Sequence, residues 1–153
     1  MLDKKDFLQV VKNTPLVSID LIVRSGDDGI LMGKRVNQPA AGYWFVPGGV
    51  IQKNETLEEA FRRISLAELG QEISLDEGQL LCPFTHLYDT NFAGEPGVGT
   101  HYVVLAYEIE RSFELKSLPK EQHGSFQWIY ASQELDQVHR YSRLYFDYLT
   151  KRD

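Results

Sequence analysis

Polar and apolar positions alternate strongly early in the chain. Between Leu16 and Val23, Val17, Ile19, Leu21 and Val23 fall on one side and Ser18, Asp20 and Ile22 on the other, which is the two-residue period of a strand. Ahead of it, Asp6 to Asn13 reads as a short helix that stops before Pro15, because the residue preceding a proline avoids helical backbone. Asp27-Asp28-Gly29 turns the chain into a second strand, Ile30 to Arg35. Tyr43 to Val46 makes a third, broken at Pro47-Gly48-Gly49. The period then changes. Leu57, Ala60, Phe61, Ile64 and Ala67 recur at helical spacing and predict a buried stripe. Thr56 caps this helix, with Glu59 three residues on in the reciprocal arrangement. Glu58 with Arg62 and Glu59 with Arg63 are spaced i,i+4 in the favourable order, and Gly70 suits the left-handed position that ends a helix. Further strands are expected near Leu80 to Tyr88, His101 to Arg111 and Phe126 to Tyr130. A terminal helix from Val138 to Thr150 is expected to turn Tyr141, Leu144, Tyr145, Tyr148 and Leu149 inward. Mixed strands with flanking helices predict an α/β sandwich.

Size and composition narrow the function classes. A chain of 153 residues with 42% hydrophobic and 25% charged content reads as one globular domain. No apolar run approaches membrane length, and Asp3, Lys4, Lys5 and Asp6 lead into no signal-peptide core, so a cytoplasmic protein is expected. Cys82 is the only cysteine, which excludes an internal disulfide and a thiolate metal site. A net charge of -6 argues against a nucleic acid polymer as partner, since such binding draws on phosphate neutralisation. A small anionic substrate would need its own local cations.

Glu68 follows Ile64 by four residues and therefore shares the inward face of the helix, where a carboxylate needs a partner. It either pairs with a nearby arginine or serves as a ligand. The wider spacing bears on this choice: Gly49, Glu55, Arg63, Glu68 and Gly70 resemble a Nudix box, the motif of a superfamily that hydrolyses nucleoside diphosphate compounds. Ile64, Ser65 and Ala67 stand where that box asks for Glu, an aliphatic residue and Glu. One remaining inward carboxylate is too little charge for a cation cluster and suits a single hard cation with oxygen ligands, of which Mg2+ fits best. Arg63, with no Glu after it to orient, is assigned with Glu55 to holding loop and helix together. Tyr43, Trp44 and Phe45 read as core in preference to a base-stacking platform.

Beyond the box the chain resembles one branch of that superfamily, the GDP-mannose mannosyl hydrolases. The resemblance is carried by Thr14-Pro15-Leu16-Val17-Ser18, Gly33-Lys34-Arg35, Gly42-Tyr43-Trp44-Phe45-Val46-Pro47-Gly48-Gly49, Leu66-Ala67-Glu68-Leu69-Gly70, Thr100-His101-Tyr102-Val103-Val104 and Glu121-Gln122-His123. It implies a Nudix-type α/β/α sandwich with a central mixed β-sheet, and a box shortened in the same way. It also implies an unusual bond choice, in which water attacks the sugar anomeric carbon of GDP-mannose, commonly also of GDP-glucose, releasing GDP and a hexose with inverted configuration. A homodimer follows from the same resemblance, with the N-terminal part, including Phe7 and Leu8, reaching the partner's site.

By that resemblance the Mg2+ ligands are the backbone carbonyl of Gly48, Glu68 and Gln122, all hard oxygen donors. His123 becomes the general base, an imidazole that titrates near neutral pH, with His86, His101 and His139 competing for the role and His139 weakest on the terminal helix. Arg35 and Tyr102 would touch the pyrophosphate or sugar, and Asp20 and His86 would line the sugar end of the cleft. Each has a plainer reading: a surface amide for Gln122, a solvated loop histidine for His123, a strand-end arginine for Arg35, a loop tie for Asp20, and core or edge positions for Tyr102 and His86. Two other functions stay open, a conventional Nudix pyrophosphohydrolase attacking phosphorus and a non-catalytic module that binds nucleotide sugars.

Overall fold

The structure, a computed structural model, describes residues 2–38, 40–119 and 123–152. Helix α1 (Lys4–Asn13) is followed by β1 (Leu16–Arg24), β2 (Ile30–Arg35), β3 (Trp44–Phe45), β4 (Gly48–Val50), α2 (Leu57–Leu69), β5 (Gly78–Tyr88), β6 (Thr100–Glu110), β7 (His123–Ile129) and α3 (Arg140–Arg152). β1 lies inside a mixed four-stranded sheet of order β4-β1-β6-β5, parallel to β6 and antiparallel to β4. The other strands form an antiparallel sheet of order β3-β2-β7. Burial along β1 is nearly continuous from Ser18 to Val23, as expected of a strand covered on both faces.

Two apolar clusters separate the faces. Ile19, Leu21 and Val23 pack with Ala60, Phe61, Ile64 and Leu69 of α2. Ile22, Ile30, Met32 and Ala106 pack with Tyr145, Phe146 and Leu149 of α3. The layered α/β/α arrangement expected from the sequence is present, with the strands divided over two sheets. Thr56 and Glu59 form the reciprocal cap of α2, and Gly70 closes it at φ 73°.

Several local expectations are corrected. The broken segment after Pro47 re-enters the four-stranded sheet as β4, where Gly48 lies opposite Asp20 and Gly49 opposite Ile19. On α2, Leu57 and Ala67 are exposed, while the inward positions include Ser65, whose Oγ accepts the Ile73 N–H at 2.8 Å. Leu144 is exposed at 47%, and buried Ser142 and Phe146 take its place on the inward stripe of α3. Ser142 Oγ accepts the Val46 N–H at 3.0 Å, so a polar residue on that stripe ties α3 to the turn before β4. On the outer edge of the larger sheet, the Tyr141 hydroxyl both donates to the Leu87 carbonyl and accepts the Leu87 N–H, each at 2.8 Å. Tyr148 donates to the Leu81 carbonyl at 3.0 Å.

Candidate active site

The face of the larger sheet that looks toward α3 gathers several of the residues singled out in the sequence. Alternation along β1 puts Ser18, Asp20 and Ile22 on it, and the register opposes Leu16 to Tyr102 and Tyr102 to His86, so Tyr102, His86 and, two residues on, Tyr88 share that face. Asp20 is 6% exposed and accepts a hydrogen bond from Tyr145 Oη at 2.6 Å. Burial pushes its carboxyl up to about 7; the Tyr145 hydrogen bond and the Arg35 charge oppose this, and Glu68 adds to it. Asp20 therefore feels both Arg35 and Glu68. Burial likewise raises the Tyr102 and Tyr88 phenols, each within the field of Asp20 and Arg35.

β4 supplies the other wall. At an Asp20–Gly48 pair lying between hydrogen-bonded Leu21–Pro47 and Ile19–Gly49 positions, the N–H and C=O of Gly48 point away from β1. The Gly48 N–H donates to Glu68 Oε1 at 3.1 Å, with Glu68 itself 7% exposed. A Cβ at Gly48 would strike the Ile19 carbonyl oxygen and come within 2.8 Å of Asp20 Oδ1. Glycine is thus required where strand, carboxylate and helix converge. At Gly49 a Cβ would meet Ile64 at 3.1 Å, so hydrocarbon fills the place where the box asks for a second carboxylate. Arg63 Nε and Nη2 bind both oxygens of Glu55 at 2.6 and 3.0 Å, and Nη2 also reaches the Val50 carbonyl at 2.8 Å. This is the loop-to-helix tie expected of the pair; Arg63 is bonded to Glu55 while Glu59 serves the helix cap.

The Gly48 carbonyl and the Glu68 carboxylate offer hard oxygens on one strand edge, a donor set that suits a divalent cation. Among the described residues no group of three or more His, Cys, Asp or Glu is gathered as a metal cage. Gln122, the third expected ligand, lies outside the described residues. His123 opens β7 opposite Arg35 in the register; its side chain is not among those described. Arg35 is half-buried, and the hydrogen bonds of its backbone to Tyr43 and Gly42 fix the loop between β2 and β3. Phe7 packs on Phe92 of its own chain, ring centroids 5.0 Å apart, within the cluster that includes Tyr102 and Val50. His101 is exposed.

Three tyrosines that the sequence did not assign to it line the candidate site, together with His139, which the sequence offered only as the weakest rival for general base. Tyr145 holds Asp20, and Tyr88 bridges Tyr102 and His139, with centroids 5.9 and 5.2 Å away. Tyr141 stacks on His86. His139, expected on the terminal helix, precedes it; its N–H donates to the Trp44 carbonyl at 3.0 Å, which sets the ring among Tyr43, Phe45, Tyr88 and Tyr141. The signal available was the density of tyrosines in Tyr141 to Tyr148, more phenol than an ordinary core stripe needs. Tyr43, Asp136, Val138, His139, Arg140 and Arg143 line a depression of about 340 Å³ beside this cluster, where two arginines outnumber one carboxylate. A second depression, about 410 Å³, is lined by Asp27, Asp28, Glu77, Glu108 and Glu110 around Arg24; its charge is wrong for an anionic ligand.

Among the described residues no helix is long and apolar enough to cross a membrane. The chain is 44% identical over 101 residues to the low-salt glycan biosynthesis protein Agl8 of Haloferax volcanii, a match covering 65% of this chain and 62% of that protein. It superposes on a MutT NUDIX hydrolase of Burkholderia pseudomallei with a TM-score of 0.69 at 26% identity, covering 90% of this chain and 99% of that one. The NUDIX domain of Shewanella oneidensis NrtR, solved with ADP ribose, shares the fold at a TM-score of 0.66 and 17% identity, covering 99% of each chain. The NUDIX domain model matches residues 14–148, a span that takes in every residue of this candidate site except Phe7, and the chain belongs to the NUDIX hydrolase family.

Proposed function

We propose that this protein hydrolyses GDP-mannose, and also GDP-glucose, to GDP and free hexose by attack of water at the anomeric carbon with inversion. The observation that carries the reading is one inward box carboxylate beside a buried polar face. Glu68 turns to Gly48, Ile64 packs beneath Gly49, and Asp20, His86 and Tyr102 lie on the adjoining sheet face. Attack at phosphorus calls for several cations to hold phosphate and activate water. Attack at carbon calls instead for a stabilised leaving group and a cavity that grips a hexose.

When bound, a divalent cation, Mg2+ in this reading, supplies positive charge to the departing diphosphate. Glu68 and the Gly48 carbonyl are its donors, with Gln122 the third. Arg35 adds a permanent planar cation suited to phosphate oxygens, and Tyr102 contacts the pyrophosphate or sugar beside it. Asp20, whose carboxyl is held near 7, can donate or accept a hydrogen bond to a hexose hydroxyl, and His86 lines the same end. His123 takes the proton of the attacking water at its imidazole. The similarity to a protein named for glycan biosynthesis supports a sugar-bearing substrate.

Hydrolysis of GDP-mannose in heavy-oxygen water tests the reading directly. Label is expected in the hexose; label in GMP or a sugar phosphate would establish attack at phosphorus instead. His123→Ala is expected to lower kcat by about a hundredfold or more with a modest change in binding, the usual scale for losing a general base. Near-full turnover in that variant would remove His123 from the role.

A further inference from the structure

His86 is 2% exposed, and its Nε2 is buried without a hydrogen-bond partner. A buried polar nitrogen is normally met by protein, water or ligand, and leaving it unmet is costly. The ring is also held with unusual care. Tyr141 stacks on it with centroids 4.1 Å apart and planes 7° from parallel. Tyr141 cannot swing, because its hydroxyl is bonded to both the N–H and the carbonyl of Leu87. The Arg140 guanidinium lies 4.8 Å from the Tyr141 ring centre and reaches the same hydroxyl at 3.2 Å. Phe45 closes another side edge-on at 6.3 Å. A side chain that only filled space would not need its plane fixed by a tyrosine that is itself bonded at three points.

Resting on the hydrolase reading above, we propose that Tyr141, clamped by Arg140 and the Leu87 backbone, is a positioning residue that fixes the His86 ring so that Nε2 meets one hydroxyl of the bound hexose. The stack thereby becomes a determinant of which hexose is accepted. The chemistry of the nitrogen suits a hydroxyl. Burial, and to a lesser extent His139, hold the His86 pKa down to about 4, so near neutrality the ring is uncharged and Nε2 donates or accepts according to tautomer. A phosphate oxygen would call for a cation, which Arg35 supplies elsewhere in the site. A site built to bond a hydroxyl rejects the analogue that lacks it far more strongly than an apolar pocket does.

Two arms test this. In the first, the Nε2 resonance of His86 is followed by nitrogen NMR as the full-length protein is saturated with a carbon-linked, non-hydrolysable GDP-mannose analogue. It is expected to shift in the wild type, to shift less and broaden in Tyr141→Phe, which keeps a ring to stack but loses the hydroxyl that clamps it, and to stay in place in Tyr141→Leu. In the second, kcat/KM is compared across GDP-hexoses that each lack one hydroxyl. One deoxy substrate should be slowed at least tenfold in the wild type, and that penalty should vanish in Tyr141→Leu and in His86→Gln, the latter serving also where Tyr141→Leu does not fold. A stationary Nε2 resonance in the liganded wild type, or an undiminished deoxy penalty in Tyr141→Leu or His86→Gln, overturns the inference. Failure to hydrolyse any GDP-hexose refutes the hydrolase reading instead, and the resonance then decides the positioning of His86 by itself.

Discussion

Gly48 shows how closely single residues are constrained at this site. Its α-carbon faces the Ile19 carbonyl and the Asp20 carboxylate, and its N–H is taken by Glu68. Gly48→Ala is therefore expected to lower stability by about 1–3 kcal/mol, the range for overpacking a filled space, and to lower turnover with it; chemical denaturation and initial rates measure both. Glu68→Gln keeps the shape and removes the charge. It should raise the Mg2+ concentration needed for half-maximal hydrolysis and lower the maximal rate, whereas an unchanged metal titration would take Glu68 out of the ligand set. Asp20 and Glu68 were legible in the sequence because each is a charge set in an apolar period. The partners that settle their environment were not, since Tyr145 and the Gly48 N–H reach them only through tertiary contacts 125 and 20 residues away in the chain.

At the scale of elements, α2 is attached to the strand edge through Arg63. Its bonds to Glu55 and the Val50 carbonyl span the loop from β4 into the helix, and Glu55 in turn accepts the Gln52 N–H at 2.8 Å. The Arg63 side chain is 38% exposed, so solvent screens the pair, and Arg63→Ala is expected to cost about 1 kcal/mol. Thermal unfolding beside an Arg62→Ala control, exposed and expected to be within about 0.5 kcal/mol of wild type, measures the difference. Periodicity located α1, α2 and most strands within a few residues. It missed β4, because Gly48-Gly49-Val50 has little intrinsic strand preference and becomes a strand only by pairing with β1. It also misplaced part of the α3 stripe, where Ser142 looks solvent-facing by type yet is buried to bond Val46, while Leu144 looks apolar yet faces water. Hydrophobicity marks which residues prefer burial, and these two positions are decided by a backbone donor that needs a partner.

Across the whole molecule, three titratable groups, buried Asp20 and His86 and half-buried His139, set a pH signature. Burial holds His86 and His139 down to about 4, from 6.5. As pH falls from 6.5 toward 4 the unfolded chain binds two protons that these sites refuse, so the fold loses stability. Asp20 works the other way: burial holds it up to about 7, from 3.8, so the fold retains a proton that the unfolded chain releases, and acidification across the same window favours the fold. For these groups the net slope in the wild type is about one proton, and in Asp20→Asn about two. Denaturant midpoints taken from pH 7 to 4.5 should therefore fall more steeply in the variant. Equal slopes would mean that Asp20 titrates like an ordinary carboxyl.

The phenols of α3 also have a bearing on how copies of this protein can meet. Exposed edges of β-sheets are templates for unwanted growth, because their free amides and carbonyls accept another chain. On β5, Tyr141 occupies both groups of Leu87, and Tyr148 occupies the carbonyl of Leu81. A neighbouring chain could extend the sheet there only by first evicting two tyrosines from a helix that also holds Asp20 in place. Runaway edge-to-edge polymerisation is thus opposed by the same contacts that keep the site assembled, and variants that free this margin should show it first as clumping on storage.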